Sequence, residues 1–133
     1  MTTHAHGTFE VKLSPLVLDD TTDPTLGRMK LEKKLHGDLE ATGRGEMLTA
    51  GSDVPGSAGY VAIERITGTL MGRTGSFALQ HLGTMNRGAG QISITVVPDS
   101  GTGELVGIAG TLTITVVEKQ HFYGFDYTLP DAG

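Results

Sequence analysis

The chain contains no cysteine and no tryptophan. Without cysteine there is no disulfide framework, no thiolate metal site and no cysteine nucleophile. Basic residues are few: ten Lys and Arg stand against fifteen Asp and Glu, a formal charge of -5. That balance argues against a nucleic-acid partner, because phosphate backbones are held by neutralising many charges together. No run of about 18 apolar residues occurs, so no membrane-spanning helix is expected, and Met1 to Lys12 lacks the charged and apolar regions of an export signal. The expectation is a cytoplasmic protein without a membrane partner. Nucleotide signatures are missing as well. There is no GxxxxGK[ST], and Gly101-x-Gly103 leads to Val106 where a dinucleotide fingerprint needs a small residue. No Ser sits in a GxSxG elbow.

What is present is alternation. No window keeps a helical apolar stripe, whereas apolar and polar residues exchange places every second position over eight stretches, the pattern of strands with one buried face. These are Thr8 to Leu13, Arg28 to His36, Leu39 to Ala50, Ser57 to Ile66, Thr69 to His81, Gln91 to Val97, Leu105 to Val117 and Phe122 to Leu129. Turn punctuation separates them at Gly37-Asp38, Thr67-Gly68, Asn86-Arg87-Gly88, Asp99 to Gly103 and near Lys119-Gln120. With 133 residues and no composition break, residues 1–133 read as one domain. Gly43, Gly45, Gly72, Gly75, Gly107 and Gly110 fall inside the expected strands, where glycine relieves crowding at bends and bulges. The all-β reading is an eight-stranded antiparallel β-barrel, with a sandwich as its rival. Such a barrel encloses packed side chains or one small ligand. Ser14 to Leu26 is the long irregular connection, placed either as a lid or as a simple crossing over one end.

Ionisable residues with large apolar neighbours concentrate between Gly59 and His81. A turn at Thr67-Gly68 pairs Glu64 with Met71 and Ala62 with Arg73, and sets Tyr60, Ala62, Glu64, Met71, Arg73, Phe77, Leu79 and His81 on one face. Taken as the lumen, that face supplies candidate catalytic residues. Glu64 is a general base or electrostatic stabiliser paired with Arg73, and His81 or Tyr60 is a proton donor or orienting group. The competing account is an exposed cross-strand ion pair of little energetic weight. Glu46, Gln80 and His36 are the next candidates should Glu64 face outward. Phe77, Leu79 and Met71, with Tyr123 and Tyr127 from the last hairpin, are the candidate ligand wall, and equally a plain core. Lys33 interrupts the alternation of its strand. The run Arg28, Lys30, Lys33 and Lys34, broken by Glu32 and two apolar residues, reads as a solvated face. His4-Ala5-His6 lies where chain ends rarely build a closed metal site, so neither a metal nor a cofactor is expected. The outward face with Val61 and Ile63 is expected to be covered by a second copy in a homo-oligomer.

Longer motifs carry a resemblance. Gly7-Thr8-Phe9-Glu10-Val11, Gly37-Asp38-Leu39-Glu40, Gly45-Glu46-Met47-Leu48, Ala58 to Glu64, Gly75 to His81, Val97 to Leu105 and His121-Phe122-Tyr123 resemble a family of small bacterial proteins known only as a domain of unknown function. That family is similar to the allene-oxide-cyclase-like, calycin-like barrels, which include plant allene oxide cyclases and dirigent proteins. The resemblance implies cofactor-independent isomerisation or cyclisation of one small apolar or amphipathic molecule in the lumen, with Glu64 or Glu46 as the lumen carboxylate. A carrier or sensor of a small ligand, or an oligomeric structural module, is the alternative.

Overall fold

Residues 2–19 and 22–130 are described in a computed structural model. The strands are β1 (Thr3–Leu16), β2 (Leu26–Gly37), β3 (Leu39–Ala50), β4 (Ala58–Leu70), β5 (Arg73–Asn86), β6 (Ala89–Val96), β7 (Thr102–Gly103), β8 (Ala109–Val117) and β9 (Gln120–Thr128). They form one antiparallel sheet in the order β4-β3-β2-β1-β9-β8-β6-β5-β7, closed by pairing of β4 with β5. This is an eight-stranded up-and-down barrel with β7 as a short extra strand on the edge of β5. The seam between β6 and β8 is its narrowest, bridged at Thr95 and Thr111. Among the described residues no helix is long and apolar enough to cross a membrane.

Alternation along each strand sorts side chains between lumen and exterior. Odd positions of β1, β2, β3, β5 and β9 and even positions of β4, β6 and β8 point inward. One end of the lumen is packed solid. Phe77 stacks on Phe125 at 5.5 Å between centroids, and Phe125 on Tyr127 at 5.2 Å. Leu39, Ile66, Leu70 and Leu79 fill the space around them. At that end the β2–β3 and β4–β5 turns are tied together by Met71 N–H donating to Asp38 O at 2.8 Å. The loop after β6 folds under them, burying Leu105 and Ile108. The expected strand from Leu105 therefore starts only at Ala109, and Leu105 belongs to a plug. Tyr123 fastens the same end by accepting from Leu39 N–H at 2.9 Å and donating to His36 O at 3.0 Å.

The other end stays open. There the connections are stitched to one another, with Gly88 N–H donating to Gly56 O and Gly51 N–H to Thr25 O. The β1–β2 connection, in which Asp20 and Thr21 of the expected lid lie outside the described residues, is drawn outward at its start by Arg28 Nη1 donating to Val17 O at 3.3 Å. None of its described residues lines the mouth. Outside the barrel, Leu48 lies opposite Val61 and Val61 opposite Leu82, a half-exposed apolar row continued by Ile63. This is the face assigned above to a second copy.

The turn expected at Thr67-Gly68 lies instead at Met71-Gly72, with φ of 47° and 87°. Gly68 is inside β4 for a different reason: a Cβ there would meet Glu40 O at 2.2 Å and Ala41 Cα at 2.6 Å. Glycine marks a close approach of β3 to β4, and the four residues beyond it extend the hairpin. Gly72 and Gly107, taken above for strand residues, are turn and loop positions with positive φ. The last hairpin turns at Glu118-Lys119, both with positive φ, and β1 begins early enough to take His4 and His6 into the sheet. Gly68→Ala is expected to lower the unfolding free energy by about 1–3 kcal/mol in urea titration. Gly90→Ala, whose Cβ would enter open space, is expected to stay within about 0.5 kcal/mol of the parent.

Candidate functional site

Three ionisable side chains are buried in the middle of the lumen. Lys33, Glu64 and His81 are 8%, 1% and 4% exposed. Lys33 Nζ donates to Glu64 Oε1 at 3.2 Å, and His81 Nε2 lies 3.3 Å from Glu64 Oε2. The second contact is close but not aligned, and both of its atoms are buried without a hydrogen-bond partner. Lys33 Nζ also stands 5.0 Å from the centroid of the Phe9 ring, close enough for the ring face to attract the ammonium.

The pair exists because of a missing side chain. Lys33 is on β2 and Glu64 on β4, with β3 between them, and Lys33 is registered with Gly43 and Glu64 with Gly45. A Cβ on Gly43 would sit 2.9 Å from Ile66 Cδ1, 3.3 Å from Lys33 Cβ and 3.6 Å from Glu64 Oε1. Glycine thus leaves a passage across β3 through which the ammonium and the carboxylate meet. Burial by itself pushes the Glu64 carboxyl up, but the neighbouring His81 and Lys33 outweigh it and hold the group below the ordinary carboxylate range.

Above this group the lumen widens into a cavity of about 400 Å³ at the open end. Its wall is mainly Met47, Ala58, Tyr60, Gly83, Met85 and Ile92, with Thr49, Thr84 and Gln91 as further polar side chains. Tyr60 is its floor. The phenol lies over Gly83, where a Cβ would meet Tyr60 Cε1 at 2.2 Å, and its ring is 6.2 Å from the His81 ring. Burial, and then the charge of Glu64, raise the Tyr60 pKa above its ordinary value, so the phenol stays protonated.

Of the expected site residues, Tyr60, Glu64 and His81 come together on the inward face. Arg73 does not join them. It pairs with Leu70 beside the β4–β5 turn, six positions along the sheet from Glu64 or about 20 Å at the usual strand rise. The cation beside Glu64 is Lys33, so the run Arg28, Lys30, Lys33 and Lys34 is not wholly a solvated face: Lys33 points inward with Leu31 and Leu35. Met71 sits exposed on the turn, where its sulfur accepts from the Tyr127 hydroxyl at 3.2 Å. Phe77, Leu79, Tyr123 and Tyr127 lie in the packed end, away from the open cavity. Glu46 and Gln80 are on the outer face, Glu46 bound to Arg28 at 2.7 Å, and His36 lies outside between Glu10 and Glu40. His4 pairs with Asp126 and His6 approaches Asp38 at 3.9 Å. Among the described residues no three His, Cys, Asp or Glu side chains are grouped to hold a metal.

A closed calycin-like barrel, packed at one end and open at the other, with a charged group midway, is the class the fold defines. Residues 5–127 match the family described as "Protein of unknown function (DUF3224)", and the chain belongs to that family. It is similar to a protein of unknown function from the DUF3224 family of Shewanella oneidensis MR-1, known from a crystal structure. The two are 48% identical and superpose with a TM-score of 0.94, covering 99% of this chain and 100% of that one. No curated protein matches.

Removing one partner of a buried ion pair strands the other charge. Lys33→Met and Glu64→Gln are each expected to cost about 3–5 kcal/mol in urea titration, and the double variant to lie within about 1–2 kcal/mol of the parent. A double-mutant cycle showing independent, additive losses overturns the coupling. The pH dependence has a definite sign. Because the folded-state pKa of Glu64 lies below its ordinary value near 4.5, its contribution is fully present above that value and is lost as pH falls through the folded pKa. Stability of the parent is expected to fall more steeply below pH 4.5 than that of the Lys33→Met/Glu64→Gln variant, as read from thermal unfolding at stepped pH.

Proposed function

We propose that the protein binds one mostly apolar small molecule in the open end of its barrel and acts on it as a cofactor-independent isomerase or cyclase in the cytoplasm. The observation that carries this is the stacking of an apolar cavity directly over a buried carboxylate, imidazole and ammonium. An apolar chamber with few polar groups is the usual form of a small-molecule site, and a buried titratable group with specific partners is a usual form of a catalytic one. In this reading the cavity wall encloses and orients the substrate. Glu64, held ionised by Lys33 and His81, accepts a proton or stabilises developing positive charge, and Tyr60 and His81 lie on the route between substrate and carboxylate. The resemblance to allene-oxide-cyclase-like barrels supports the same reaction class.

One observation favours a carrier instead: Tyr60 closes the floor of the cavity, and neither Glu64 nor His81 lines it. The two readings separate experimentally. Small apolar molecules that raise the melting temperature of the parent are expected to leave Gly90→Trp unchanged. Gly90 lines the mouth, and its Cβ would point into empty space, so the indole fills the chamber without displacing the backbone. For any molecule that is converted, the Lys33→Met/Glu64→Gln variant is expected to keep binding and to lose about two to four orders of magnitude in kcat. Binding without conversion selects the carrier. Stabilisation of Gly90→Trp equal to that of the parent places the ligand elsewhere.

A further inference from the structure

The uncharged lining of the cavity narrows the chemistry of its occupant. No residue lining the cavity bears a formal charge, and the polar side chains there are Thr49, Tyr60, Thr84 and Gln91. A ligand carboxylate or ammonium seated among them would give up its hydration without a counter-charge, a loss that burial does not repay. The layer below offers no free charge. Lys33 and Glu64 answer each other at 3.2 Å, and His81 faces the second oxygen of the same carboxylate at 3.3 Å. An anionic head pressed against Tyr60 would also meet the field of Glu64, while a cationic head would have to draw Glu64 away from Lys33.

Neutral polar groups face the opposite situation. The Tyr60 hydroxyl makes no hydrogen bond among the described residues, and beneath the phenol His81 Nε2 and Glu64 Oε2 are buried without partners. An uncharged oxygen function gains a hydrogen bond with the Tyr60 hydroxyl at this floor and gives up no ionic hydration. We propose that the ligand is an electrically neutral amphipathic molecule, with an aliphatic or aromatic body among Met47, Ala58, Met85 and Ile92 and a single hydroxyl or carbonyl directed at Tyr60. This rests on the reading of the open cavity as the ligand site.

The methionines provide the measurement. Met47 and Met85 line the cavity, whereas Met71 lies on the β4–β5 turn at the packed end and serves as an internal reference. The full chain, labelled with 13C at the methionine methyls, is titrated at pH 7 with nonan-1-ol, nonan-2-one, nonanoic acid and nonylamine. The alcohol and the ketone are expected to shift Met47 and Met85 saturably and leave Met71 in place, with dissociation constants at least tenfold below those of the acid and the amine. Tyr60→Phe is expected to weaken the alcohol about three- to tenfold, the loss of one hydrogen bond. If the acid or the amine binds as tightly as the alcohol at the same methyls, the neutral-ligand inference is overturned and the cavity reading stands. If Tyr60→Phe leaves alcohol binding unchanged, the assignment of the oxygen function to Tyr60 is overturned. If no probe shifts Met47 and Met85 saturably, the cavity reading fails and the inference fails with it.

Discussion

Closing eight strands into a barrel fixes the width of the lumen, and every inward side chain must share that width. This constraint organises the molecule into layers. At one end Phe77, Phe125 and Tyr127 stack, with aliphatic residues around them, and Leu105 and Ile108 seal the bottom. In the middle the space is too small for three full side chains abreast on β2, β3 and β4, so β3 contributes Gly43 and lets Lys33 and Glu64 cross. At the other end inward positions hold small or slender residues such as Ala58, Gly83 and Gly90, and the layer stays partly empty. The same closure thus gives a core, an ion pair and, where Ala58, Gly83 and Gly90 leave room, a cavity.

The middle layer is not explained by stability. A buried ion pair rarely outperforms well-packed apolar residues of the same volume, because desolvation offsets most of the Coulomb attraction. Here the misaligned His81–Glu64 contact adds two buried polar atoms without partners. A leucine and a methionine in place of Glu64 and Lys33 would fill the layer with less electrostatic demand. Retaining charge in the lumen is therefore the feature of this chain that an apolar core does not require, and it lies under the open cavity at the end of the barrel.

Much of this was legible from period two, and the failures have identifiable causes. Moving the β4–β5 turn from Thr67-Gly68 to Met71-Gly72 carries the partner of Glu64 from Met71 to Leu79, eight positions along β5. Eight is even, so the β5 residues beyond the turn keep the face assigned to them and Tyr60, Glu64 and His81 remain together, while Leu70 passes into the lumen and Met71 onto the turn. The same displacement moves Arg73 out of reach. Gly68 misleads because glycine in a turn and glycine under a close backbone approach look alike in sequence. Lys33 misleads in another way: its neighbours Lys30 and Lys34 are solvated, and the composition of the run outweighed the parity that aligns Lys33 with Leu31 and Leu35. The signal was the parity, since an inward lysine in a barrel strand needs a carboxylate within reach, and Glu64 is an inward carboxylate two strands away.

Tyr60 joins the two halves of the problem. It is packed on Gly83 on one side and faces His81 on the other, so the cavity and the charged layer are separated by one aromatic ring. A phenol differs from a phenylalanine in that position by being able to pass a proton as well as to fill space. Tyr60 and His81 stand between the chamber and the carboxylate. The absence of a side chain at Gly83 sets how far the ring lies over the floor. The absence at Gly43 sets whether the charges below it can meet, so two glycines determine both the depth of the chamber and what lies beneath it.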